Sequence, residues 1–74
     1  MSNQPAQVWW CYADHAEQGV YVAATGIDDA TAKGATRLRR GVASITARYR
    51  VTSGDPMRTI AGLLAARRRE SEAA

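Results

Sequence analysis

A chain of 74 residues, 46% hydrophobic and 23% charged, suits one small domain; it is too apolar to be disordered throughout and too short for two cores. Its single cysteine, Cys11, excludes an internal disulfide, and no apolar run approaches the ~20 residues of a membrane-spanning helix, so the expected setting is reducing and cytoplasmic with no membrane partner. The net charge of +3 is unevenly spread: residues 1–29 hold four acids and no base, residues 30–69 hold Lys33 and every arginine against Asp55 alone, and Glu70 and Glu72 follow.

Residues 1–6 are polar, include Pro5 and lack a charged-then-apolar leader pattern; they are expected to form a disordered tail. Gln7–Ala13 is rich in aromatic residues and reads as a strand. Asp14–Gly19 is a polar turn, and Val20–Thr25 is a second strand, close enough to form an antiparallel hairpin. Gly26 breaks the run, and a helix is predicted from Asp28, with Asp28 as cap and Gly41 as stop. On that helix Ala30, Gly34, Ala35, Leu38 and Val42 fall on one arc, with Lys33, Arg37 and Arg40 on the far side. Gly34 costs about 1 kcal/mol of helix propensity relative to alanine, and a close helix–sheet contact is the simplest compensation.

Ser44–Thr52 alternates with period two and reads as a third strand, able to pair with either strand of the hairpin. Asp55 and Pro56 suit the cap and first turn of a last helix with a stripe of Met57, Ile60, Ala61 and Leu64. It runs to Arg67-Arg68-Arg69 and a polar tail over 70–74. The expected domain is therefore 7–69. Its fold class is α+β, a three-stranded, mostly antiparallel sheet in the order β-β-α-β-α with both helices on one face.

Strand parity then assigns two faces. Ile45, Ala47, Tyr49 and Val51 are matched inward with Val20, Val22, Ala24, Val8, Trp10 and Tyr12. The other face carries Trp9, Cys11, Tyr21, Arg48 and Arg50. Aromatic rings beside guanidinium groups on an open sheet suit unpaired bases and phosphates. The leading expectation is a nucleic-acid-binding module for DNA or RNA: Trp9 and Tyr21 stack, Arg48 and Arg50 meet phosphate, and Lys33, Arg37 and Arg40 add phosphate contacts along the helix.

The alternative is a protein-interaction module with the same patch as anchor. It would be a homodimer, or an antitoxin-like or phage-type inhibitor or regulator whose partner offers an acidic surface. Blander accounts stand beside both. A helix can cover Trp9, the arginines can be solvated, and arginine-rich composition accompanies GC-rich coding sequence. The Arg67–Arg69 block also suits a helix C-terminus.

Cys11 and His15 lack zinc-site spacing, and one histidine with scattered acids offers no nucleophile–base pair, so neither an enzyme nor a metal or cofactor is expected. The order hairpin, helix, strand resembles that of small antitoxins with a degraded ribonuclease-H-like unit and of other ββαβ modules. That likeness of element order assigns no residue a role.

Overall fold

A strand that is apolar at every position from Val8 to Tyr12 has no face to leave in water, so it needs cover on both sides. The computed structural model, which describes residues 6–73, provides that cover. β1 (Ala6–Tyr12) is the middle strand of a three-stranded sheet, and β2 (Gly19–Ala24) and β3 (Thr46–Ser53) flank it, both antiparallel to it. The third strand thus pairs with the first, and the order along the chain is the expected β-β-α-β-α.

The expectation of both helices on one face is corrected. α1 (Ile27–Leu38) packs on the side of the sheet that carries Trp9, Cys11, Val22 and Ala24; α2 (Pro56–Ala73) packs on the side that carries Val8, Trp10 and Tyr21. The central β1 is apolar on both faces and each face takes one helix; register differs from the expectation as well. Trp9 lies opposite Val22 and Trp10 opposite Tyr21, one residue away from the face matching inferred from sequence. A slip of one residue moves every side chain of a strand to the other face.

Small residues let α1 sit close. Ala30, Gly34 and Ala35 are its buried positions, and the Cys11 thiol donates to the Ala30 carbonyl at 3.4 Å. An added methyl at Gly34 would lie 2.6 Å from the Cys11 Cβ, so glycine is required by proximity rather than by backbone conformation. Gly26, not Asp28, is the N-cap, and no side chain caps it; the Asp29 carboxylate instead accepts from the Thr25 N–H at 3.3 Å. At the other end Arg39 takes the left-handed conformation, φ 56°, and closes the helix before Gly41 is reached. Val42 consequently leaves the helix, is 56% exposed, and begins a short 3-10 turn, Val42–Ser44.

α2 starts as its sequence implies, with the Arg58 N–H donating to the Asp55 carboxylate at 3.3 Å and Pro56 in the first turn. It continues to Ala73, so residues 70–73, expected as part of a tail, belong to its last turn. The expected N-terminal tail lies outside the described residues except Ala6, which opens β1. Ile60 and Leu63 of α2 pack on the sheet core as partly buried hydrophobic residues. At about 1.5 Å per residue α2 is roughly 27 Å long, about the length of β3.

Candidate functional site

Strand register places each expected site residue. Trp9 is 8% exposed beneath α1, with its ring edge-on to Tyr49 at 5.7 Å, and its indole N–H is buried with no hydrogen-bond partner among the described residues. Tyr21 is 6% exposed on the opposite side, tilted against Trp10 at 4.7 Å. The shared stacking surface expected for Trp9 and Tyr21 is therefore corrected. They face opposite sides of the sheet, and each belongs to a core.

Arg48 and Arg50 are exposed on β3, an edge strand. Arg48 lies opposite Trp10, on the α2 side. Arg50 occupies a bulge: Val8 pairs with Val51 and Trp9 with Tyr49, leaving Arg50 with no residue opposite. The bulge also breaks the alternation assumed for Ile45, Ala47, Tyr49 and Val51. Val51 goes to the α2 side with Val8, and both Tyr49 (53%) and Val51 (37%) are exposed rather than central to a core.

The basic stripe expected on α1 is only partly assembled. Lys33 is engaged with the Asp29 carboxylate at 3.1 Å and with the Ala23 carbonyl at 2.8 Å. That ammonium, with the Thr25 N–H, holds the Asp29 carboxyl below its usual range. Arg40 is not on the helix at all; it lies beyond the Arg39 cap and pairs with Asp14 of the hairpin turn at 2.8 Å. Arg37 is exposed and has no ion-pair partner among the described residues.

Other features carry weight that the sequence did not reveal. The Arg67 guanidinium lies 4.4 Å from the centre of the Trp10 ring and donates to the Glu17 carbonyl at 2.9 Å, while the Trp10 indole N–H donates to the Ala16 carbonyl at 2.6 Å. Together they tie α2 to the hairpin turn. On the β2 edge, a groove of about 620 Å³ opens between α1 and α2, with Met57, Ile60 and Leu64 on one wall. The helical stripe of Met57, Ile60 and Leu64 is the sequence signal for it.

The cationic edge at β3 and the apolar groove at β2 are both open on this geometry. No known protein family, curated protein or solved structure matches the chain. Among the described residues no three His, Cys, Asp or Glu side chains are grouped to hold a metal ion, and no helix is long and apolar enough to cross a membrane.

Proposed function

We propose that the chain is a small nucleic-acid-binding module that lays β3 along a sugar–phosphate backbone, working in the cytoplasm on DNA or RNA. The observation that carries this reading is Arg48-Tyr49-Arg50, three consecutive exposed residues on a free sheet edge with no carboxylate pairing either guanidinium among the described residues. Guanidinium groups match phosphate oxygens in a fixed fork, and the half-exposed Tyr49 ring, on the opposite face of the strand from Arg48, offers a stacking surface along the same edge. Tyr49, rather than Trp9 or Tyr21, takes that role here. The bulge supports the reading, because it twists the edge and leaves Arg50 outside the ladder. Arg37, also unpaired, adds positive charge on α1, whereas Lys33 and Arg40 are already neutralised by Asp29 and Asp14.

The reaction to salt tests the proposal. Phosphate contacts release counterions, so affinity falls with salt by a slope of about 0.9 per contact on duplex DNA and about 0.7 on single strands. Replacing Arg48 and Arg50 together with alanine is expected to flatten the slope by about 1.4 on single-stranded and about 1.8 on duplex oligonucleotides. Fluorescence anisotropy across a salt series measures this. Undetectable binding to DNA and RNA at low salt, or a slope that the double variant leaves unchanged, rejects the proposal.

A further inference from the structure

We infer that the free edge of β2 is a docking site for an extended, amphipathic acidic segment of a partner protein, taken up as a fourth strand between α1 and α2. This goes beyond the nucleic-acid reading and stands without it. Among the described residues β2 pairs only with β1, so its outer edge carries main-chain groups that no strand of theirs satisfies. The Lys33 ammonium reaches the Ala23 carbonyl, which therefore faces outward. Main-chain groups alternate sides along a strand, so those of Tyr21 face outward too. Apart from Lys33, no hydrogen bond from outside the sheet meets them among the described residues. Such an edge is a template for another strand.

The two walls specify which strand. The side chains of an added strand alternate, one set toward α1 and the other toward α2. Arg37, with no ion-pair partner among the described residues, and Lys33, which Asp29 already pairs, line the α1 wall; Met57, Ile60 and Leu64 line the α2 wall. Among the described residues no acid lines the groove. Met57 is 68% and Leu64 50% exposed, so the apolar wall is largely uncovered in the isolated chain. The matching occupant has carboxylates on one face and aliphatic side chains on the other.

A second copy docked edge to edge would add a second Arg37 to the same groove and no carboxylate to meet either one, and like charges oppose that pairing. Lys33 also guards the edge. Its ammonium occupies the Ala23 carbonyl and must leave before a strand can pair, while Asp29 keeps it at the groove.

The test uses the full chain and labelled short peptides of alternating valine and glutamate, with a valine–lysine counterpart and a glutamate form N-methylated at alternate residues. The glutamate peptide is expected to bind at least about tenfold tighter than either control, a tenfold ratio corresponding to ~1.4 kcal/mol. Leu64→Lys, Met57→Lys and Arg37→Glu each are expected to weaken it about tenfold. Circular dichroism checks that each variant is folded; Met57 and Leu64 are exposed enough to accept lysine. The Tyr21 and Ala23 amides become protected from hydrogen exchange on binding. The Arg48→Ala, Arg50→Ala double variant keeps full peptide affinity, which separates this result from that of the β3 edge. Equal binding of the glutamate and lysine peptides overturns the inference, as does no binding or indifference to every groove variant. Sedimentation of a dimer that Leu64→Lys dissolves also overturns it, by giving the groove to a second copy.

Discussion

Two glycines in two helices should respond to the same substitution with opposite signs. Gly62 is an exposed position of α2 where an added methyl meets nothing within 4 Å. Gly62→Ala removes only the helix penalty of glycine and should stabilise by up to about 1 kcal/mol. Gly34→Ala gains the same propensity but puts its methyl 2.6 Å from the Cys11 Cβ and 3.0 Å from its Sγ. Carbon atoms in contact rest roughly 3.5–4.0 Å apart, so α1 must lift by roughly 1 Å. The Cys11 Cβ is fixed to the backbone of the central strand and cannot swing aside.

Overpacking of this kind costs about 1–3 kcal/mol, and a rigid neighbour favours the upper part of that range. Subtracting the propensity gain leaves Gly34→Ala about 1–2 kcal/mol less stable than the parent. In a domain of this size each kcal/mol moves the melting temperature by about 4–8 °C. The expected pattern is a fall of roughly 5–15 °C for Gly34→Ala beside a rise for Gly62→Ala. Thermal and urea unfolding followed by circular dichroism and by the fluorescence of Trp9 and Trp10 measures both. A Gly34→Ala chain that melts at or above the parent temperature refutes the seating of α1 over Cys11.

Removing the guanidinium with Arg67→Ala should lower stability by about 1–2 kcal/mol, from the cation–π contact with Trp10 and the hydrogen bond to Glu17 together, and should alter tryptophan emission. A variant with unchanged melting and emission shows that α2 is not held at the hairpin turn. Burial pushes the Cys11 thiol above its ordinary value of 9.0, because the thiolate is poorly solvated beneath α1. The unfolded chain then gives up its thiol proton before the folded one does, so stability is complete below about pH 9 and declines as pH rises above it. Alkylation of Cys11 should follow the unfolded fraction and speed up in Gly34→Ala. Rapid alkylation of the stable parent at neutral pH contradicts that burial.

The local patterns of the chain were enough for its elements and their order. The polar turn ending at Gly19, the Asp55-Pro56 start and the small residues around Gly34 each depend on a few neighbouring residues, and each appears in the fold, while the period-two alternation marks β3 as a strand but is interrupted at Arg50. The apolar character of β1 on both faces, present in the sequence, is realised by its central place. The site was much less legible. Whether Trp9 faces with Tyr21 or with Val22 is decided by hairpin register, and the partner of Val51 by a bulge at Arg50. Likewise, only the folded chain brings Asp14 to Arg40, Arg67 to Trp10, and Met57 and Leu64 to the open edge of β2. These outcomes depend on how distant segments meet, and a one-residue shift in that meeting leaves every local pattern intact while exchanging the faces of the sheet.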